Sequence, residues 1–261
     1  MKDLSTIVFS IDRSVLTLTM NRPEVYNALN DAMKKELAEA FKEAAKDPSI
    51  RCIVLRGAGT KAFCAGQDLK ADPPGKRSLK ESLEKFYNPL ILRIRTIEKP
   101  VIAMVNGVAA GAGCSLALAC DMRVMATDAK LIEVFIRIGL VPDSGSHWFL
   151  YRLVGPARAF EYAATGRDID AEEAYRVGLV NRIVSPEQVE DSTMSLARSL
   201  AMGPTRAIGL MKRALNKAAL STLEDTLAYE AQIQQIASET QDYREGVTAF
   251  LEKRNARFAG R

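Results

Sequence analysis

The chain alternates between short runs of β-forming residues and longer stretches whose apolar positions recur at helical spacing. Ile7–Ile11 and Val15–Met20 flank Asp12-Arg13-Ser14 and predict a β-hairpin. Asn30 is placed to cap a helix running to about Ala45, with Met33, Leu37, Ala40 and Phe41 on one face. Cys52–Arg56, Val101–Val105 and Met122–Ala126 read as short buried strands, and helical stretches at about Leu79–Ile97 and Gly113–Ala119 lie between them. Strands alternating with helices predict an α/β chain with a largely parallel sheet and helical crossovers. From Pro156 onward helices take over: Ala157–Gly166, Ala171–Gly178, Pro186–Met202, Pro204–Ala219, Leu223–Ser238 and Gln241–Asn255. The polar, turn-rich segment Asp72–Lys80 reads as a mobile loop. No internal repeat is visible.

Composition narrows the class without naming a function. With 261 residues, 48% hydrophobic and 26% charged, the chain can form one large domain or one domain with an appendage. A formal charge of +4 suits a polyanionic small molecule as well as a nucleic acid, but no block of like charge marks a nucleic-acid tail. Cys52, Cys64, Cys114 and Cys120 form no Cys-x-x-Cys pair, and His147 is the single histidine, so no metal site is expected. The cysteines sit among apolar or small residues and read as buried reduced thiols. Lys2 and Asp3 lead directly into a strand-like run and no apolar run approaches about 20 residues, so neither a signal peptide nor a membrane span is expected. A reducing cytoplasm is the expected compartment.

Two glycine- and alanine-rich segments each follow a strand. In Lys61–Leu69 (KAFCAGQDL), small residues at Cys64, Ala65 and Gly66 let backbone approach a ligand closely. Asn106–Ser115 joins a buried strand to a helix, whose N-terminus offers unpaired N–H groups and a partial positive charge. It carries no Walker lysine and no dinucleotide fingerprint. Each alone reads equally well as a tight turn. Together they can aim two N–H donors at one carbonyl oxygen, forming an oxyanion hole.

With these segments on the page, the chain resembles the crotonase (enoyl-CoA hydratase/isomerase) superfamily. Matching stretches are Asn21–Leu29 (NRPEVYNAL), Ala62–Leu69, Lys99–Asp121, Ile138–Gly155 and Phe250–Gly260 (FLEKRNARFAG), in family order over nearly the whole chain. The resemblance implies a ClpP-like spiral of repeated β-β-α units over residues 1–200. It also implies a C-terminal helical region, 201–261, for trimerisation and CoA contact. An acyl-CoA substrate would be held through its thioester in a homotrimer or hexamer, with CoA part of the substrate and no separate cofactor. By motif offset the oxyanion donors would be the backbone N–H groups of Ala65 and Ala112. CoA would lie near Arg22, Tyr26, Ala28, Ala65, Gly66, Gln67, Asp68 and the C-terminal Lys253. Arg22, Lys253 and Arg254 are phosphate partners by charge; Lys212 and Arg213 read as surface charges on an amphipathic helix.

The departures from the family pattern are informative. Hydratases carry two glutamates that handle water, and here those places hold Ser115 and Phe135. Glu133, two residues before Phe135, reads as solvent-facing or structural. Asp143, after Pro142, reads by itself as a turn or cap aspartate. The resemblance gives it another role: in isomerase branches an acid at this place faces the acyl group, and LVPDSGSHW resembles the branch acting on ring-epoxide acyl thioesters. A thioester acidifies its α-carbon by stabilising an enolate, so Asp143 could remove the α-proton and return it elsewhere. Phe135, Ile138, Leu140 and Val141 would supply apolar surroundings, and His147 reads as structural. Three readings stay open: isomerisation by one aspartate, hydration by Asp143 with Glu133, and acyl-CoA or RNA binding without turnover.

Overall fold

The computed structural model describes residues 4–71, 73, 75 and 78–261. The expected loop Asp72–Lys80 has residues 72, 74, 76 and 77 outside the described residues. The hairpin forms as β1 (Ile7–Asp12) and β2 (Val15–Met20), antiparallel and in register from Ile7↔Met20 to Asp12↔Val15. Arg13 and Ser14 both take positive φ, 46° and 63°, the backbone a two-residue hairpin turn needs. Asn30 caps α1 (Asp31–Lys46) by accepting from the Met33 amide at 2.9 Å. The far end of α1 is capped by buried Lys99, whose Nζ donates to the carbonyls of Ala44 and Asp47 at 2.6 Å each.

From there the chain winds in turns that contribute to two sheets. β3 (Cys52–Gly57) leads to β4 (Ala62–Cys64); α2 (Leu79–Ser82), a π-helical turn (Leu83–Tyr87) and α3 (Asn88–Thr96) follow. β5 (Val101–Val105) leads to β6 (Val108–Ala110) and α4 (Ala112–Ala119). β7 (Met122–Ala126) leads to β8 (Lys130–Ile132), a 3-10 turn (Val134–Ile138) and α5 (Ser146–Thr165). β9 (Asp168–Asp170), α6 (Ala171–Arg176) and β10 (Arg182–Val184) complete the winding. The larger sheet has the order β1-β2-β3-β5-β7-β10 and is parallel beyond the hairpin; the smaller has the order β4-β6-β8-β9. This is the α/β chain the residue pattern predicts, wound in the spiral that the family resemblance implies.

Four further helices follow: α7 (Val189–Met202), α8 (Thr205–Ala218), α9 (Leu223–Ser238) and α10 (Gln241–Leu251). α7 packs across β3, β5 and β7 and closes the larger sheet. α8 is anchored by Lys212, which is no surface charge: its Nζ lies 2.7 Å from Asp121 and 2.7 Å from the Ile94 carbonyl. Arg213 pairs with Glu98 at 3.0 Å. The helical spacing at Met211 and Leu215 hid this, because a lysine stem can lie in an apolar interface while its head meets carbonyls. α5 begins eleven residues earlier than the expected Ala157; Gly155 (φ 76°, ψ 171°) and Pro156 break it, so only its second half was legible. All four cysteines are buried free thiols. Among the described residues no helix is long and apolar enough to cross a membrane.

α4 is the centre of the molecule. All eight of its residues are buried, and it touches β4, β6, α3 and α5. Gly113 faces β4 so closely that a Cβ there would stand 2.1 Å from the Cys64 carbonyl oxygen, a backbone atom that cannot swing away. Gly113→Ala should therefore destabilise by about 2–3 kcal/mol, lowering the thermal midpoint by about 4–10 °C in a calorimetric scan. A variant that melts with the wild type would show that the α4–β4 contact is softer than this packing.

Candidate functional site

The site is built where two loops meet the start of α4. The first is the pair of segments 22–29 and 65–68, zipped together by main chain. Ala65 N–H donates to the Tyr26 carbonyl at 3.0 Å, Leu29 N–H to Gly66 at 2.7 Å, and Asp68 N–H to Leu29 at 3.0 Å. Buried Asn27 locks the segment from beneath, its Nδ2 donating to the carbonyls of Ala58 (3.0 Å) and Ala62 (2.9 Å). Tyr26 and Asn27 take φ of 55° and 56°, a left-handed pair that turns the chain back on itself.

These bonds correct two expectations. The Ala65 N–H is already given to Tyr26 and is not a free donor. Among the described residues, no backbone acceptor takes the amides of Gly66, Gln67 or Ala112. Gly66 (φ +93°) crosses the start of α4 so tightly that a Cβ on it would lie 2.8 Å from the Ala110 oxygen and 3.4 Å from the Ala112 nitrogen. The Gly66 amide meets the Cys64 sulfur, so the free amide of this loop is that of Gln67, next to the close approach of Gly66 to the free amide of Ala112 at the positive end of a buried helix. Motif offset pointed to the right loop and missed the residue, because only the fold reveals which amide is consumed.

The second correction concerns Arg22. Its guanidinium is committed inside the protein, 2.8 Å from Asp68 and 2.7 Å from the Ala28 carbonyl. Burial alone would raise the Asp68 carboxyl, but the amides of Ala71 and Lys70 and the Arg22 charge outweigh it and hold it below the usual range. Arg22 and Asp68 therefore shape the loop. Gln67 is held by its side chain, whose Oε1 accepts from buried Lys34 at 3.1 Å and from the Tyr87 hydroxyl. Ala28 is buried beside the loop and Tyr26 is exposed. Lys253 is exposed past the end of α10, and among the described residues no hydrogen bond or ion pair joins it to segments 22–29 or 65–68. Arg254 is taken by Glu245 at 2.6 Å.

The other wall comes from segment 133–146. Phe135 packs against the cap of α4: a Cβ on Gly111 (φ +53°) would meet its Cζ at 3.8 Å. Asp143 is half-buried and follows a buried Pro142; Ser144 (φ 53°) and Gly145 (φ 88°) turn the chain into α5. Burial raises the Asp143 carboxyl above its ordinary value, partly offset by the Ser144 hydroxyl, which donates at 2.8 Å, and by the charge of His147. A carboxyl so raised accepts a proton more readily. Ile138 and Val141, expected as pocket walls, are exposed in the single chain.

Glu133 overturns the solvent-facing expectation. It is fully buried, and both its oxygens take the Ser146 hydroxyl, at 2.9 and 3.0 Å. Ser146 in turn lies 2.8 Å from the Ser115 hydroxyl, which donates to the Asp143 carbonyl at 3.1 Å. Burial pushes Glu133 up to about 7; the hydroxyl of Ser146 and the thiol of Cys114 oppose the shift and the charge of Asp143 adds to it. Ser146 and Cys114 were missed in the sequence, where a serine after glycine and a cysteine among alanines carry no polar signal.

A carboxyl raised in the folded state makes the native chain bind more protons than the unfolded one between the ordinary 4.5 and about 7. Stability is present in full below that window and falls as pH climbs through it. Glu133→Gln removes this loss. Its melting temperature relative to wild type should rise by about 3 °C or more between about pH 5 and pH 8, read by calorimetry; a difference that stays flat with pH would contradict the raised carboxyl.

The comparisons with known proteins agree with this geometry. The Enoyl-CoA hydratase/isomerase family pattern matches residues 10–261. The chain is 46% identical over 259 residues to the 1,2-epoxyphenylacetyl-CoA isomerase of Escherichia coli, covering 98% of each. It is 43% identical over 256 residues to a probable enoyl-CoA hydratase of Rhodobacter capsulatus, again covering 98% of each. The crystal structure of the enoyl-CoA hydratase from Bacillus anthracis superposes with a TM-score of 0.94 at 32% identity, covering 98% of this chain and 100% of that one. With a buried helix start, a free amide beside it and a raised carboxyl close by, the chain belongs to the enoyl-CoA hydratase/isomerase (crotonase) family.

Proposed function

We propose that the protein is an acyl-CoA isomerase that moves a proton with one aspartate. Its substrate is 2-(1,2-epoxy-1,2-dihydrophenyl)acetyl-CoA, converted to the oxepin-CoA, with Δ3/Δ2-enoyl-CoA isomerisation as a related activity. The observation that carries this reading is the identity of the acids. The two positions where hydratases handle water hold Ser115, spent on Ser146 and the Asp143 carbonyl, and Phe135, an apolar ring. Glu133 has no surface from which to activate water. Asp143 is the half-exposed acid of this wall, and its raised proton affinity suits a group that takes and returns one proton.

In this reading the thioester oxygen accepts from the Ala112 amide and the Gln67 amide. Each donor is worth about 3–4 kcal/mol of enolate stabilisation where its loss costs 10²–10³ in rate. With the epoxide, the carbon–carbon bond shared by the epoxide and the six-membered ring opens as the ring diene reorganises, giving the seven-membered oxepin. In that oxepin, as in the Δ3-alkene, Asp143 removes the α-proton, the C–H electrons form the new double bond from the α-carbon, the neighbouring double bond moves its electrons to the more distant carbon, and the protonated carboxyl returns the proton there. CoA is part of the substrate, and no separate cofactor is needed. Asp143→Asn should slow deuterium exchange at the α-carbon by about 10³-fold or more while acyl-CoA binding changes less than about threefold. Exchange at the wild-type rate by that variant would refute the role.

Hydration is the second reading, favoured by the hydratase names among the relatives. Crotonyl-CoA in heavy-oxygen water separates the two: rapid label uptake supports hydration, and its absence with exchange of 3-hexenoyl-CoA supports isomerisation.

The protein acts as a homotrimer or a dimer of trimers. Exposed apolar residues on and beside α8 to α10, including Leu215, Leu220, Leu223, Leu227 and Phe250, support a subunit interface there. Light scattering should give a mass of about three or six times the 28.6 kDa chain; a monomer at micromolar concentration would rule this out.

A further inference from the structure

Behind Asp143 runs a chain of hydroxyl groups that the proton transfer itself does not use. Glu133 contacts Ser146 Oγ at 2.9 and 3.0 Å, Ser146 contacts Ser115 Oγ at 2.8 Å, and Ser115 contacts the Asp143 carbonyl at 3.1 Å and the Gly111 carbonyl at 3.3 Å. Ser115, Ser146 and Glu133 have no accessible surface, so each hydroxyl proton must find its partner within this set. Each serine has one proton to give. That count fixes two arrangements.

If Glu133 carries a proton, it donates to Ser146, Ser146 donates to Ser115, and Ser115 donates to the carbonyl of Asp143. Every link is then filled by one proton, and the chain ends on the turn that holds Asp143 and on the cap of α4. If Glu133 is ionised, Ser146 turns to donate to it. Ser115 then either turns to Ser146 and releases the Asp143 carbonyl, or keeps that carbonyl and leaves two oxygens 2.8 Å apart with no proton between them. The ionised form is one link short.

We infer that Glu133 is a positioning residue whose protonated carboxyl, acting through Ser146 and Ser115, holds the Asp143 turn in its working place. This rests on the assignment of Asp143 as the proton carrier. The remaining groups around Glu133 do not compete for the switch. Cys114 offers a thiol held well above its ordinary value by burial and by Glu133 itself; Arg123, whose charge bears on Cys114, is held by the carbonyls of Leu179 and Cys120. Asp143 faces Glu133 from the segment before α5 and repels its charge, while His147, on the first turn of α5, bears on Asp143.

Two consequences distinguish this role from a purely structural one. Ionisation of Glu133 should impose a fall in the isomerase kcat near neutral pH, at least threefold between about pH 6 and pH 8, with KM little changed. Glu133→Gln keeps a donor toward Ser146, so it should retain the low-pH rate within about threefold and lose that alkaline fall. Glu133 still holds its proton where Asp143 ionises, so the acid limb of the profile should stay in place. Ser146→Ala, which cuts the chain, should lower kcat at all pH values and show no alkaline fall.

The test is the pH profile of α-proton exchange for wild type, Glu133→Gln, Ser146→Ala and Asp143→Asn, with infrared titration of the protonated-carboxyl stretch. A stretch that titrates near pH 7, persists in Asp143→Asn and vanishes in Glu133→Gln supports the inference. An unchanged profile in Glu133→Gln, with Asp143→Asn inactive, overturns the relay and leaves the Asp143 assignment standing. Full exchange by Asp143→Asn overturns both.

Discussion

Everything in the site depends on one packing constraint, the burial of α4 against β4 and β6 of the smaller sheet and against α3 and α5. A helix with no exposed face has no water to satisfy its first amides, and no side chain caps this one. Those amides stay free because the neighbouring backbone comes close without bonding them. Gly66 passes the Ala110 carbonyl and Gly113 passes the Cys64 carbonyl at distances that exclude any Cβ. The glycines therefore bring two main chains into contact and leave donors aimed at the space between them. In a site of this kind the field of the helix acts with little screening, and no reorganisation is needed when charge develops on a bound oxygen.

The second element is the separation of two carboxyls by environment. Asp143 sits half-exposed on a strained turn, while Glu133 is buried behind it. Both are raised mainly by burial, and the charge of Asp143 adds to the rise of Glu133. Two acids that repel one another do not both ionise readily, so the buried one keeps its proton to higher pH and the outer one is the more available base.

Much of this was legible in the residue pattern. The β1–β2 hairpin, the Asn30 cap, β3, β5, β7 and the C-terminal helices follow from alternation, helical spacing and cap chemistry, which are local. The smaller sheet was not legible, because β4, β6, β8 and β9 have three residues each, too few to alternate visibly. The loop at 65–67 and the start of α4 could be found from small residues after strands. Which amide remains free could not, since Ala65 loses its N–H to Tyr26, a partner 39 positions away. Lys212 was misread, and the solvent-facing alternative for Glu133 failed while its structural alternative held, for one reason. A charged residue in a sequence suggests solvent, and only tertiary contacts show a carboxyl met by a serine or an ammonium met by two carbonyls and an aspartate.

The departures from the hydratase pattern also explain one another. A carboxyl at position 115 would stand on the same hydroxyl of Ser146 that Glu133 occupies, placing two acids across one oxygen in a fully buried region. The cost of ionising either would then exceed what a single serine proton could offset. With Ser115 in that place, the link becomes a hydroxyl that can both accept and donate, and the Glu133 carboxyl can reach the Asp143 turn through it. A serine at 146 is equally required, since a glycine there would leave the buried carboxyl of Glu133 with the weak thiol donor of Cys114 as its side-chain partner. Ser115, Glu133 and Ser146 thus form one physical unit, and the half-exposed acid Asp143 stands outside that unit but is tied to it by its own carbonyl.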